Sequence, residues 1–401
     1  MSFIRRTSRN RLIAVVVALV AIGVASVALA AGPLSASTST PPKQPLAQAL
    51  ADAAAAPAAQ GVTARIAFTN NLIGSDLVPG SSPLLSGATG RLWATNDGRF
   101  RLELQGQSGD AQIVGDGTAM TVVQPGNSTV YRFVLPTKQD ATGAGTAPKS
   151  DTPPTAASIQ QLLDQVAGLA VVSPAEPTNV AGQPAYEVRV APAENGGLLG
   201  AVAVAWDAAR GLPLRVGIYA RGATDPTLQL AVTDISYGAV AGDALNVGLP
   251  AGAKVQTVDL GQLRHERPGT PAPDGKAPET VAQVQANVGF PLQAPDHAAG
   301  LPRTAVRTVG GDGTAGALVV YGHGLGSILV LEQQAEAGAA PAAKPGGIDL
   351  PSVSIAGAPG SELSTALGSV VRVTKDGVTT TVLGSVPAAA AEAAASDVVS
   401  S

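Results

Sequence analysis

Alternation of apolar and polar residues predicts many strands along this chain. In residues 99–104, Phe100, Leu102 and Leu104 alternate with two arginines and a glutamate. Successive side chains of a strand point to opposite faces of a sheet, so this stretch predicts a strand with one apolar face. Comparable stretches predict strands at residues 63–68, 112–115, 119–123, 130–135, 185–190, 200–206, 212–220, 228–237, 304–309, 317–321, 327–333, 369–375 and 378–383.

Two amphipathic helices are expected among the earlier strands. Residues 46–56 are rich in alanine and leucine and end before Pro57, and apolar residues recur at helical spacing in residues 156–169. An open sheet must cover its apolar face. We therefore expect a mainly β (α+β) fold in which a curved antiparallel sheet forms an unclosed β-barrel and these two helices form its lid. A short helix at 279–288 and an alanine-rich helix or frayed tail at 387–399 belong to a smaller α+β C-terminal domain.

The N-terminus has the pattern of a membrane segment. Four basic residues come first, and residues 12–31 then run for 20 positions without a charge; the basic residues are Arg5, Arg6, Arg9 and Arg11. A helix of about 20 residues spans the hydrocarbon core of about 30 Å, and the arginines stay on the cytoplasmic side. Residues 28–30 also fit a signal-peptidase site, so residues 1–31 are either a signal anchor or a cleaved signal peptide. We expect a single N-terminal anchor in the cell membrane with the body extracytoplasmic, or a secreted or periplasmic protein if the signal is cleaved.

Changes in composition divide the rest of the chain. Residues 32–43 are rich in Ser, Thr and Pro and are expected to be a linker. Residues 44–258 contain the first group of strands, residues 259–278 form a charged, proline-rich linker, and residues 279–401 form the C-terminal domain.

The composition narrows the function classes. The chain has no Cys, which excludes disulfides, thiolate zinc sites and a Cys nucleophile. Outside the four N-terminal arginines, 21 basic residues stand against 29 acidic ones. A mildly acidic chain without a basic cluster is a poor candidate for binding nucleic acid or an anionic lipid surface.

Motifs for catalysis or metal binding are weak. Residues 311–316 fit GxGxxG, but a predicted strand follows them where a dinucleotide site needs a helix, so we interpret them as a hairpin loop. The histidines His265, His297 and His323 are scattered and lack the spacing of metal ligands. No catalytic residue, metal site or cofactor is predicted, and we expect that the protein is not an enzyme.

Several short sequences follow one another in an order known from one superfamily. They are GRFRLE (98–103), DG (116–117), AGQPAYEV (181–188), GLPLRV (211–216) and PAGAKV (250–255). Together they resemble the LolA-like lipoprotein carrier superfamily, which includes lipid-binding lipoproteins and RseB-type regulators, over about residues 44–258. The resemblance implies an unclosed β-barrel whose helix-covered apolar cavity holds acyl chains of a lipid or lipoprotein.

The residues expected to line that cavity are apolar positions of the predicted strands. They are Phe100, Leu102, Leu104, Phe133, Val188, Val204, Trp206, Val216 and Leu230. The sequence does not separate lining a cavity from plain core packing for such residues. The expected function is lipid or lipoprotein binding and transport. The alternative is an envelope-stress or sporulation-type regulator that binds an anti-sigma-like membrane partner, because the C-terminal region looks like the extra domain of such relatives.

Overall fold

The structure is a computed structural model of the chain. It describes residues 40–57, 59–74, 83–107, 109–123, 129–134, 153–194, 196–249, 252–259, 279–310, 315–335 and 350–401. The predicted membrane segment, the arginines before it and nearly all of the predicted 259–278 linker lie outside these residues.

The first part of the chain forms a sheet of 13 strands. The strands are β1 (Gly61–Asn70), β2 (Ala88–Thr95), β3 (Phe100–Gly106), β4 (Gly109–Gly115), β5 (Ala119–Val123), β6 (Thr129–Val134), β7 (Ala170–Val172), β8 (Glu176–Val180), β9 (Gln183–Pro192), β10 (Leu199–Asp207), β11 (Pro213–Ala220), β12 (Leu228–Tyr237) and β13 (Lys254–Asp259). Their order is β13-β6-β5-β4-β3-β2-β1-β12-β11-β10-β9-β7, and β8 also pairs with β9. The two outer strands, β13 and β7, are not paired with each other, so the curled sheet is an open half-barrel, as the sequence predicted.

Two helices accompany this sheet as expected. They are α1 (Leu46–Ala55) and α3 (Ala156–Val166). A third, short helix, α2 (Pro83–Ser86), lies between them in the chain. Thr155 caps α3 by accepting a hydrogen bond from the backbone N–H of Ser158. The alanines of α1 divide between two neighbours: Ala47 and Ala51 pack against Ile159 of α3, and the other two buried alanines pack against the sheet. Small side chains on both sides of α1 allow this close double contact.

The last part of the chain forms a second sheet of eight strands. They are β14 (His297–Ala298), β15 (Leu301–Val309), β16 (Gly316–Tyr321), β17 (Ile328–Gln334), β18 (Ser352–Ile355), β19 (Ala358–Thr365), β20 (Gly368–Lys375) and β21 (Val378–Gly384). Their order is β14-β15-β16-β17-β21-β20-β19-β18. β15 and β16 are antiparallel neighbours in this sheet. Residues 311–314 of the GxGxxG sequence lie outside the described residues, so its interpretation as a hairpin loop stays a prediction.

Two helices pack on the second sheet. α4 (Val281–Asn287) begins with a capping box between Thr280 and Gln283. α5 (Ala388–Val399) buries Ala391, Ala394, Ala395 and Val398 in the core. The i, i+3, i+4, i+7 spacing of these four residues is that of one helical face. Residues 388–399 are therefore a helix that packs in the core, and not the frayed tail that the sequence also allowed.

The sequence missed several strands. Neither α2 nor β2 is among the elements predicted from the sequence. β18 and β19 were also missed, because serine, glycine and proline interrupt their alternation. The domain boundaries themselves stay predictions.

The two sheets meet at a small contact. The backbone N–H of Leu198, in the β9–β10 hairpin, donates to both the carbonyl (2.9 Å) and the Oγ (3.0 Å) of Ser385. The N–H of Ala366 donates to the carbonyl of Leu72 at 3.1 Å. Gly197 lies so close that a Cβ there would be 2.1 Å from the Ser385 carbonyl oxygen.

Candidate functional site

Strand register places several predicted cavity residues on one face of the half-barrel. Val188 lies opposite Val204. Val204 in turn lies opposite Val216, and Val216 lies opposite Leu230. Side chains that are directly opposite in neighbouring strands share a face. Trp206, two residues from Val204, is on this face as well.

The same face continues across β1 into the other half of the sheet. Leu230 lies opposite Phe68 of β1, and Ile66 shares the face of Phe68. Ile66 lies opposite Gly90 of β2, and Gly90 lies opposite Leu104. All nine predicted residues thus belong to one apolar face, once the register of β3 to β6 is followed.

Two rows of side chains cross β3 to β6 on this face. One row contains Leu102, Ile113, Val122 and Tyr131, and the other contains Phe100, Gly115, Met120 and Phe133. We call their six half-buried apolar members the apolar strip: Phe100, Leu102, Ile113, Met120, Val122 and Phe133.

The lid helix α1 covers the face at β9 and β10. Ala49 and Ala53 pack in one buried cluster with Val188, Val204 and Trp206, and Val216 packs against it. These four predicted cavity residues therefore pack beneath the lid. The strip on β3 to β6 lies outside this cluster.

Tyr186 fixes the start of the lid. Its hydroxyl donates a 2.6 Å hydrogen bond to the carbonyl of Pro42, just before α1, and its ring lies 6.0 Å from that of Trp206. Burial raises the pKa of Tyr186, and the charge of Asp52 on α1 adds to the shift. The phenol therefore stays protonated and remains a donor.

The remaining predicted residues differ in burial. Leu104 is buried with Ile66 and Ala111, and Leu102 and Leu84 of α2 pack against this group. Leu230 is 37% exposed, although it shares the apolar face. Phe100 and Phe133 are half-buried.

Gly115 explains how Phe100 lies on the sheet. A Cβ at Gly115 would be 2.1 Å from Cε1 of the Phe100 ring. The Phe100 ring therefore covers Gly115 of the neighbouring strand and occupies the space that a side chain there would need.

Sequence reasoning did not select Ile113, Met120 and Val122. The strands that hold them were predicted at residues 112–115 and 119–123, so alternation was available as a signal. Alternation does not tell which of the two faces of a short strand is continuous with the apolar face of β3. That depends on the strand register, which the sequence does not provide.

The cavity predicted from the resemblance stays a prediction. Two cavities in the described part of the chain, of about 580 and 160 Å³, are lined mainly by side chains of the opposite, polar face. None of the nine predicted residues lines either of them. The apolar strip is a half-exposed surface, and the argument for binding there rests on its apolar character.

Within the described residues, no His, Asp and Glu side chains form a group of three that could hold a metal ion. No helix in this part of the chain is long and apolar enough to cross a membrane, and the predicted segment at 12–31 lies outside it.

Comparisons with known proteins give structural matches alone. No family model matches the chain, and no curated protein does. A crystal structure of MucB in complex with MucA(peri) covers 87% of this chain and 94% of its own, at 18% identity and a TM-score of 0.38. The MucA/MucB complex of Pseudomonas aeruginosa covers the same shares at 19% identity and a TM-score of 0.37. A LolA superfamily protein from Nitrosomonas europaea matches 51% of this chain and 98% of its own, at 10% identity and a TM-score of 0.21. The last of these structures is described as a member of the superfamily that the sequence resembles.

Proposed function

We propose that this protein binds an acyl chain of a lipid or lipoprotein along the apolar strip of its half-barrel. The observation behind this proposal is the pair of cross-strand rows that hold six half-buried apolar side chains on β3 to β6. No charged residue belongs to either row.

The dimensions and energetics suit an acyl chain. Four strands spaced at about 4.8 Å give rows of about 14 Å. This is close to half of the hydrocarbon thickness of about 30 Å, which is the depth that one chain occupies in a bilayer leaflet. Each buried CH₂ stabilises the bound state by about 0.8 kcal/mol, so an apolar surface binds such a chain without a specific polar motif.

The proposed place of action is the outer side of a membrane. Residues 12–31 would hold the chain there as a signal anchor, or would direct its export if they are cleaved. The linker at 32–43 then keeps the half-barrel near lipid, which is the source of its ligand.

A charge on the strip tests this proposal. Met120→Glu puts a carboxylate into the apolar strip, and burying it beneath an acyl chain is expected to weaken binding about tenfold or more. Thr121→Glu is the matched control, because the next residue of β5 points to the opposite face. Binding of a fluorescent acyl phospholipid to the detergent-solubilised protein measures both. Equal binding by the two variants, or an absence of co-purified lipid in native mass spectrometry of the parent, contradicts the proposal.

The second candidate is a regulator that binds a membrane-protein partner. The observation that favours it is the C-terminal sheet, which has its own buried core. This sheet contributes no residue to the apolar strip, so acyl-chain binding does not explain its presence. A photocrosslinker at Val370, which is exposed on β20, and one at Met120 separate the candidates in cell membranes. A discrete protein adduct at residue 370 favours the regulator, and a lipid adduct at residue 120 favours the carrier.

A further inference from the structure

The polar face of the half-barrel contains a groove around two arginines. Arg65 of β1 lies directly opposite Arg91 of β2, and both side chains are exposed. Both line the cavity of about 580 Å³ and the adjoining one of about 160 Å³. Their Cβ atoms are expected to be about 5 Å apart, as in any directly opposite pair. The fold thus places two positive charges side by side in one concave surface.

Neither arginine has a partner in the part of the chain that the structure describes. Among the described residues, no hydrogen bond or ion pair is formed by the guanidinium of Arg65 or of Arg91. Two other arginines of this part of the chain do form ion pairs. Arg215 pairs with Glu187 at 2.6 Å, and Arg210 pairs with Asp207 at 3.3 Å. Like charges directly opposite each other destabilise a sheet, so this pair is unfavourable unless something else neutralises it.

The acidic residues beside the groove do not neutralise the pair. Glu103 lies opposite Arg91, but its carboxylate is bound by Arg101. Asp234 lies opposite Arg65 without forming an ion pair among the described residues. A bulge at Thr233 shifts the register next to this position and inserts an extra residue into the wall. In the lining of the two cavities, Arg65 and Arg91 stand against Glu103 and Asp234, and Arg101, which lines neither cavity, adds one positive charge beside them.

We propose that this groove binds a phosphate group, held by Arg65 and Arg91. Each guanidinium presents a fork of donors that matches two oxygens of a phosphate. A phosphomonoester has three free oxygens and a charge of about −2 at neutral pH, so it can accept both forks and balance both positive charges, whereas a carboxylate balances only one. The side chains of Thr89, Gln105 and Thr233 line the larger cavity and add further hydrogen-bonding groups.

The ligand is larger than inorganic phosphate alone. A cavity of about 580 Å³ is in the range of small-molecule sites, about 300–1,000 Å³. Trp93 borders the smaller cavity and offers an apolar wall to the rest of the molecule. A phosphate ester fits this combination, from either a lipid headgroup or a soluble compound. The site is on the face opposite to the apolar strip, so it is independent of the proposed acyl-chain site.

Calorimetric titration of the full-length, detergent-solubilised protein tests the proposal. The probes are glucose 6-phosphate as a soluble ester, inorganic phosphate, and micelles doped with phosphatidic acid or with phosphatidylcholine. We expect binding of at least one phosphomonoester, weakened about tenfold or more by Arg65→Gln or by Arg91→Gln. Arg99→Gln is the control, because it removes the same charge from an exposed arginine outside the groove. Binding of phosphatidic acid without glucose 6-phosphate identifies a headgroup, and binding of both identifies the phosphate itself.

Three results would overturn the proposal: no phosphate probe binds the parent, the groove variants bind as well as the Arg99→Gln control, or acetate binds as tightly as phosphate.

The melting temperature of each variant shows whether it is folded. Arg91→Gln removes a like-charge pair and is expected to leave the melting temperature unchanged or slightly higher. Arg91→Lys keeps the charge and should retain part of the affinity. Met120→Glu should leave phosphate binding unchanged, so failure of this site and failure of the acyl-chain site are told apart.

Discussion

The hydroxyl of Tyr237 donates a 2.5 Å hydrogen bond to Oδ2 of Asp207 and so ties the end of β12 to the end of β10. Asp207 is only 1% exposed, and its Oδ1 accepts from the backbone N–H groups of Ala209 and Arg210. The guanidinium of Arg210 lies 3.9 Å above the Tyr237 ring and also contacts Oδ2. Burial raises the pKa of Tyr237, and the negative charge of Asp207 adds to the rise, so the phenol remains a donor. Asp207 thus connects a turn and two strands.

Asp207→Ala is expected to destabilise the half-barrel by about 3–5 kcal/mol, because it leaves the buried phenol and guanidinium unpaired. Asp225→Ala, in the exposed β11–β12 turn, is the control and should stay within about 0.5 kcal/mol of the parent. Both tryptophans of the chain, Trp93 and Trp206, are in this sheet, so urea unfolding followed by tryptophan fluorescence reports on this part of the protein. Equal midpoints for the two variants would contradict the connecting role.

Gly211 supports the docking of the lid. Its φ is +67°, and a Cβ there would lie 2.4 Å from the carbonyl oxygen of Ala53 in α1. Gly211→Ala should therefore lift the end of α1 and expose Trp206 beneath it, with a red shift of tryptophan emission. Gly222→Ala is the control, because it has φ +77° but nothing within 4 Å of the added Cβ. It should show only the backbone strain of about 1–2 kcal/mol and no red shift.

Alternation predicted the orientation of the apolar face well. Phe100, Leu102 and Leu104 lie on one face of β3, as expected, and so do Val188, Val204 and Trp206 on β9 and β10. It did not predict which part of that face the lid would cover. That choice depends on where the alanines of α1 dock, and alanine periodicity in residues 46–56 fits more than one face.

The sequence did not predict which residues of neighbouring strands lie opposite each other. Alternation places Arg65 and Arg91 on the polar side of their strands, but only the register makes them neighbours. β2 itself was not predicted, and it contains Gly90, which the fold requires: a Cβ there would lie 1.8 Å from the carbonyl oxygen of Glu103. In a sequence, a glycine such as Gly90 indicates a turn, although here it allows two strands to lie close together.

The C-terminal domain should lose stability as pH rises towards 8. Glu332 is fully buried on the core face of β17, where its Oε2 accepts from the N–H of Gln293 at 3.0 Å. Burial raises its pKa from 4.5 to about 7, and the Gln293 bond opposes the rise. Burial also raises the pKa of Glu362 to about 7, with a further rise from Glu392 on α5.

Because these pKa values are raised on folding, their stabilising effect is complete below about pH 4.5 and is lost as pH passes about 7. For Glu332 the loss is about 3 kcal/mol by pH 8. Hydrogen exchange of residues 316–334 and 388–399, corrected for the intrinsic pH effect, measures it. Glu332→Gln should remove most of the dependence, and Glu332→Gln with Glu362→Gln should remove more. Protection that rises with pH would refute the assignment.

Gly197 should control the contact between the two sheets. Its φ is +59°, and the Ser385 carbonyl leaves no room for a side chain. Gly197→Ala is expected to break the Leu198–Ser385 hydrogen bonds, raise the radius of gyration in X-ray scattering and speed protease cleavage within residues 260–278. Gly182→Ala, with φ +77° and open space around it, is the matched control. Scattering curves that are identical for both variants would count against this contact as the coupling point.

The pairing of β1 with β12 has a kinetic consequence. β1 to β6 are neighbours in chain order, and so are β9 to β12, so each run can form as a local meander. The seam between the two runs joins Val62 to Tyr237, and it cannot close until the chain has emerged through residue 237. Such distant pairing is slow. While the chain is being made, both strands of the seam therefore remain open edges for some time, and the half-barrel must close before another chain pairs with them.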